Sequence, residues 1–111
     1  MTSEFKKDKF QRIRGKYSRL LNILCRRCDT EICVYQKDGS GNLRRLYFDR
    51  IFSPPKLTNL DSKLLSKIPV LKCPWCTEDL GVPYVYKKEN RKAFKLYQDA
   101  LVKKMRKLKQ K

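Results

Sequence analysis

The sequence contains no histidine and only four glycines among its 111 residues. Without histidine, no side chain has an ordinary pKa close to neutral pH, which removes the commonest general base of enzymes. The sequence also has no glycine-rich loop that could cradle phosphates and no nucleophile elbow. We therefore expect a protein that is not an enzyme and has no small-molecule substrate.

Long apolar runs are also absent. No run approaches the roughly 20 apolar residues that a membrane-spanning helix needs. The first seven residues are mostly charged or polar and lack the apolar segment of a secretory signal. These features predict a cytoplasmic protein with no membrane partner. A chain of this length has room for one modest domain, and small domains commonly rely on a structural metal.

Acidic residues are scarce in comparison with basic ones. The chain has 28 Lys and Arg against 11 Asp and Glu, which gives a net charge of +17. Residues 1–24 carry a net +5 and residues 87–111 a net +9, whereas residues 25–86 carry only +3. Such a field attracts polyanions, because Lys and Arg neutralise phosphates and release their counterions. The charge predicts a nucleic-acid partner, with an anionic membrane surface or an acidic protein as alternatives.

The five cysteines include two Cys-x-x-Cys pairs, Cys25 with Cys28 and Cys73 with Cys76. Each pair brings two sulfurs to one side of a tight turn, or knuckle. Two such knuckles that face each other present four thiolates in the tetrahedral arrangement that Zn²⁺ prefers. The pattern predicts one Zn²⁺ bound by these four residues. Because protein sulfurs fill every position, the site is expected to be structural.

Other roles for the cysteines remain open at this point. An iron–sulfur cluster also accepts four thiolates. A disulfide framework is disfavoured by the odd cysteine count and the missing secretory signal. A thioredoxin-like redox site would need a larger α/β fold. Cys33 lies in an apolar stretch, residues 32–35, and is expected to be a small buried hydrophobic residue.

Residues 23–87 resemble the zinc-ribbon class, which includes small basic ribosomal proteins, RNA polymerase subunits and transcription factors. The resemblance rests on the two cysteine pairs and on a β-hairpin predicted between them, over residues 31–52. It departs from the usual pattern after each second cysteine. Asp29 and Thr77 occupy those positions, where such knuckles often have glycine.

The predicted fold is a small α+β domain in three segments. Residues 1–22 form a basic N-terminal arm, residues 23–87 a four-cysteine zinc ribbon with two knuckles and an antiparallel hairpin, and residues 88–111 a long basic helix. The helix is predicted from apolar residues at helical spacing, with Asn90 as its N-cap. These residues are Phe94, Tyr97, Leu101, Met105 and Leu108.

The function favoured by these patterns is RNA binding. We expect a ribosomal or ribosome-associated protein that contacts rRNA within a ribonucleoprotein and can also contact neighbouring proteins. Basic arms with few acids and with interspersed Phe and Tyr suit irregular RNA, whose exposed bases can stack on aromatic rings. The alternatives are a DNA-binding transcription factor and a basic protein-interaction or inhibitor module. The predicted phosphate contacts are Arg12, Arg14, Lys16, Arg19, Arg44, Arg45, Arg50, Lys103, Lys104, Arg106 and Lys107. Tyr35 and Tyr47 are candidates for stacking on bases, with burial in the core as an equally open alternative.

Overall fold

The computed structural model describes residues 8–13, 18–39 and 41–105, which form mostly β-structure. The elements of this part of the chain are a short helix α1 (Lys9–Ile13) and the strands β1 (Ser18–Cys25), β2 (Glu31–Asp38), β3 (Arg45–Tyr47), β4 (Ile51–Ser53), β5 (Leu71–Lys72), β6 (Asp79–Tyr86), β7 (Arg91–Leu96) and β8 (Leu101–Met105). The strands form two antiparallel sheets with the orders β4-β2-β1-β8 and β3-β7-β6-β5. Among these residues no helix has the length and apolar character needed to cross a membrane.

The predicted α+β fold with a long C-terminal helix is wrong, because the described part of residues 88–111 is extended. β7 pairs with β3 and β6, and β8 pairs with β1. Asn90, the predicted helix cap, has φ 52° in the turn between β6 and β7, a left-handed conformation that asparagine tolerates. Phe94 is buried whereas Tyr97 is 47% exposed, so the helical spacing does not mark one buried face. Leu108 lies outside the described residues.

The first predicted segment boundary falls within a strand, and the second falls in the turn between β6 and β7. β1 runs across the boundary at residue 22, so residues 18–22 of the predicted arm belong to the first sheet. The predicted hairpin over residues 31–52 exists only as the pairing of β2 with β4. β3 pairs instead with β7 in the second sheet, because a 3₁₀ turn at Phe48–Arg50 separates β3 from β4 and carries the chain from one sheet to the other.

One hydrophobic core contains residues from both sheets. Ile23 of β1, Leu46 of β3 and Leu80 of β6 are fully buried. Phe48 and Phe94 pack edge to face in this core, with ring centroids 4.8 Å apart. The 44 residues between the two cysteine pairs supply strands to both sheets.

A buried ionic cluster ties α1 to the sheets. Arg50 is 1% exposed; its Nε donates to Asp38 Oδ2 at 2.9 Å and its Nη2 to Asp8 Oδ1 at 2.7 Å. Arg91 of β7 donates to Asp49 at 2.7 Å. Burial disfavours the charged guanidinium of Arg50, but the carboxylates outweigh burial and raise its pKa. Burial likewise raises the pKa of Asp8, yet Arg50 and backbone N–H donors lower it overall.

Candidate metal centre and basic groove

Two turns of the same hydrogen-bond pattern carry the cysteine pairs. In the first, between β1 and β2, the N–H of Cys25 donates to the carbonyl of Thr30 at 2.9 Å. The N–H of Asp29 donates back to the carbonyl of Cys25 at 2.8 Å. The second turn lies between β5 and β6, where the N–H of Thr77 donates to the carbonyl of Cys73 at 3.0 Å. Each strand end thus closes into a knuckle that directs two sulfurs to one side.

The residue after each second cysteine has a left-handed backbone. Asp29 and Thr77 both have φ 64°. Glycine is favoured in this region, and a β-branched residue such as threonine rarely adopts it. The conformation explains why knuckles of this type often have glycine at this position. The surrounding hydrogen bonds hold both turns in place, so the two knuckles have the same turn although neither has glycine at this position.

The sulfur atoms of Cys25, Cys28, Cys73 and Cys76 all lie within 4.8 Å of one another. The Sγ atoms of Cys25 and Cys76 are 3.7 Å apart, and those of Cys28 and Cys73 are 3.5 Å apart. A tetrahedral site with metal–sulfur bonds near 2.3 Å has sulfur–sulfur edges of about 3.8 Å. The structure therefore brings the predicted ligand set together, and these four residues could bind one metal ion.

The electrostatics of the cluster favour a bound cation. The N–H groups of Trp75 and Cys76 point at the Sγ of Cys73 over 3.4 Å and 3.5 Å. Burial raises the pKa of Cys73, but these donors and the adjoining thiols lower it to about 6. The N–H of Glu78 lowers the pKa of Cys76, whereas burial and the three other thiols raise it to about 12. Thiolates crowded in this way repel one another, and a metal cation among them removes the repulsion.

Cys33 stands apart from the sulfur cluster. It lies in β2, is 1% exposed and packs within the core. Burial, with a smaller contribution from Glu31, raises the pKa of Cys33 to about 12, which keeps the thiol protonated. It is the buried residue that the sequence predicts, and it does not belong to the group that could hold a metal ion.

The cluster of four cysteines lies where the two sheets meet. Cys25 ends β1 in the first sheet, and Cys73 directly follows β5 in the second. Arg27 in the first knuckle donates to Glu78 beside the second at 2.9 Å. The N–H of Arg26 donates to the carbonyl of Ala100 at 3.0 Å, which ties the first knuckle to the loop between β7 and β8.

The predicted RNA-contacting residues lie in several different environments. The exposed ones are Arg12 in α1, Arg44 before β3, and Lys103 and Lys104 in β8, while Arg19 and Arg45 are half-buried. Arg14, Lys16, Arg106 and Lys107 lie outside the described residues. The described members of the predicted set therefore differ in exposure.

Arg50 is not placed to contact RNA, in disagreement with the prediction. The residue lies in the 3₁₀ turn after β3. Its guanidinium is buried against Asp38 and Asp8. Tyr35 and Tyr47, the predicted stacking residues, are also buried, at 2% and 7% exposed.

A groove that we call the basic groove lies beside β3, β7 and the loop between β7 and β8. Its volume is about 770 Å³. Among the described residues that line it, the basic ones are Arg26, Arg44, Arg45, Lys95 and Lys103, and Asp99 alone is acidic. The sequence did not single out Arg26 or Lys95 as contacts. The signal that was missed is the alternation of side chains along residues 91–96, in which exposed Lys95 follows buried Phe94, as in a strand. Pairing of this strand, β7, with β3 places Lys95 directly opposite Arg45.

Comparisons of the chain with protein-family models, with curated proteins and with solved structures find no match. Two features of the chain itself bear on its function: the cluster of four cysteines, which could bind one metal ion, and the basic groove that adjoins the first knuckle.

Proposed function

We propose that this protein binds RNA through the basic groove and that one structural Zn²⁺ holds its fold together. The observation that carries the proposal is the lining of the groove, with five basic residues and one acidic residue. A concave surface of one charge sign concentrates the opposite charge. Phosphates are favoured in such a groove because each one that is neutralised releases counterions from the nucleic acid.

Zinc is the metal proposed for the four-cysteine site. Soft thiolate ligands in a tetrahedral arrangement select Zn²⁺ or an iron–sulfur cluster, and they disfavour magnesium and calcium. With four protein sulfurs as ligands, no position is left for water or a substrate, so the proposed role is structural. Metal analysis of the purified protein, together with its visible absorption spectrum, distinguishes colourless zinc from an iron–sulfur cluster.

RNA is preferred to DNA because aromatic side chains accompany the cations. Tyr84 and Tyr97 line the basic groove. Irregular RNA displays unstacked bases that can lie against such rings, whereas duplex DNA is read by an element placed in a groove between paired bases. The proposed setting is a cytoplasmic ribonucleoprotein such as the ribosome, with rRNA as the ligand, neighbouring proteins as further contacts, and no catalysed reaction.

The metal and the groove are structurally coupled. Arg26 belongs both to the first knuckle and to the lining of the groove. Its backbone N–H holds the loop at Ala100, which lines the same groove. Loss of the metal would release the knuckle and thereby this loop, so we expect RNA binding to need the metal-loaded protein.

Charge reversal in the groove tests the proposed function. We expect the triple variant Arg44→Glu, Lys95→Glu and Lys103→Glu to bind RNA many-fold more weakly than the native protein. Each phosphate contact on a single strand contributes about −0.7 to the slope of log K against log salt, so losing three contacts should make the slope shallower by about 2. Fluorescence anisotropy titrations at several salt concentrations measure both quantities.

The matched control reverses three lysines on a different surface. Lys56, Lys63 and Lys67 are exposed in the segment between β4 and β5 and do not line the basic groove. Their triple Glu variant has the same net charge as the groove variant, and we expect it to retain the native salt slope. Equal losses in the two variants would show that total charge, and not the groove, attracts RNA. Native affinity in the groove variant would refute the proposed site.

A further inference from the structure

The outer face of the second sheet continues the basic groove with alternating aromatic and basic side chains. Arg45 of β3 is directly opposite Lys95 of β7. Two positions further along β7, Ala93 lies opposite Tyr84 of β6. Residues directly opposite in an antiparallel pair, and those two positions apart along a strand, share one face of the sheet. The cations and the tyrosine ring are therefore side by side on this face.

Arg45 organises the tyrosines around it. Its Nε donates to the hydroxyl of Tyr84 at 2.8 Å. Its guanidinium lies 3.9 Å from the ring centroid of Tyr86, within stacking distance. Lys95 approaches the ring of Tyr84 at 6.0 Å. These contacts fix the planes of a guanidinium and two rings before any ligand arrives.

Tyr97 provides a second aromatic surface in the same groove. Its backbone follows β7 and is held by a hydrogen bond from its N–H to the carbonyl of Leu80 at 3.0 Å. Its side chain is 47% exposed, so the ring is accessible to a ligand. Asn42 and Gln98 line the groove as well and offer amide donors and acceptors to the edges of bases.

From this arrangement we infer that the ligand of the groove is unpaired RNA. Its bases stack on the ring of Tyr97 and on the surface that Tyr84 and Arg45 form together. The phosphates then lie along Arg44, Lys95 and Lys103, the residues of the charge-reversal test. A duplex keeps its bases stacked on one another and cannot offer them to the tyrosines without unpairing. This inference rests on the proposed function, because it specifies which form of RNA the groove accepts.

The test compares one RNA sequence in two forms. A labelled single strand of about ten nucleotides falls within the site sizes of roughly 4–16 nucleotides known for single-strand binding folds. The same strand annealed to its complement is the duplex probe. We expect the zinc-loaded protein to bind the single strand at least about tenfold more tightly than the duplex, since stacking of each base contributes an affinity factor of roughly 5 to 150.

Two substitutions at one position separate stacking from other roles. Tyr97→Ala is expected to weaken single-strand binding roughly tenfold with an unchanged salt slope, because no charge is lost. Tyr97→Phe keeps the ring and should bind like the native protein. Leu64→Ala is the control, since Leu64 is 69% exposed but does not line the groove; it should leave the affinity unchanged. The zinc content of each variant reports whether the fold is retained.

The possible outcomes separate this inference from the proposed function. Equal affinity for strand and duplex, or native affinity in Tyr97→Ala, would overturn the inference while the groove remained an RNA site. A weakening by Leu64→Ala as large as that by Tyr97→Ala would also overturn it, because the loss would not be specific to the groove. Binding of neither form would refute the proposed function itself.

Discussion

Serine at Cys25 or at Cys73 is expected to abolish metal binding and folding together. Both residues are buried, and each anchors one of the two sheets at the metal centre. Structural zinc contributes about 10–16 kcal/mol of apparent binding free energy, whereas a small domain has only about 5–15 kcal/mol of net stability. Loss of the metal therefore removes a free energy comparable to the whole net stability of the fold. Metal content by elemental analysis and circular dichroism of the purified variants measure the two losses.

Cys33→Ala is the matched control for these ligand variants. Cys33 is equally buried but lies outside the sulfur cluster. We expect this variant to retain one metal ion per chain and the native circular dichroism spectrum. Removal of the metal from the native protein by a strong chelator should reproduce the loss of signal seen with the serine variants. Metal loss in Cys33→Ala, with retention in Cys25→Ser, would show that the ligand set is wrong.

Arg50→Met is expected to lower the free energy of unfolding by about 3–5 kcal/mol, the usual cost of removing one partner from a buried ion pair. Methionine has a similar length but leaves the carboxylates of Asp38 and Asp8 without their partner. Asp38 is itself deeply buried, with 4% of its side chain exposed, so water cannot readily replace the guanidinium. Urea unfolding at saturating zinc measures the change without interference from metal release.

Arg27→Met provides the comparison for this variant. Arg27 also forms an ion pair, with Glu78 at 2.9 Å, but the two side chains are 69% and 46% exposed. Solvent screening limits exposed pairs to about 0–1 kcal/mol. A loss of stability in Arg50→Met no greater than that in Arg27→Met would show that the buried cluster does not hold α1 and the sheets together.

The candidate metal ligands could be predicted from the sequence because their chemistry is local. A Cys-x-x-Cys pair directs two sulfurs to one side through its own turn, whichever sheet surrounds it. The hydrogen bonds at Cys25 and Cys73 confirm two such turns. The positive φ of Asp29 and Thr77 was not predicted, because these residue types do not by themselves require it.

The C-terminal segment shows where sequence patterns fail. Residues 101–105 consist largely of Leu, Lys and Met, which favour helices in isolation. In the structure this stretch adds a strand beside β1, with Cys25 opposite Leu101. Pairing with a partner strand outweighs an intrinsic preference of a few tenths of a kcal/mol per residue. That partner is about 80 residues away in the chain, so no local window contains the information.

The sequence alone determined the charge of the protein, the four candidate ligands and the burial of Cys33, because each depends on residue type or on short spacing. Only the tertiary structure decided which basic side chains lie next to one another on one surface. Arg50 is buried in an ion pair with Asp38, whereas Arg26 of the first knuckle and Lys95 of β7 line the same groove. The reason is strand pairing: the register between β3 and β7 sets which side chains share a face, and that register depends on contacts between residues far apart in the chain.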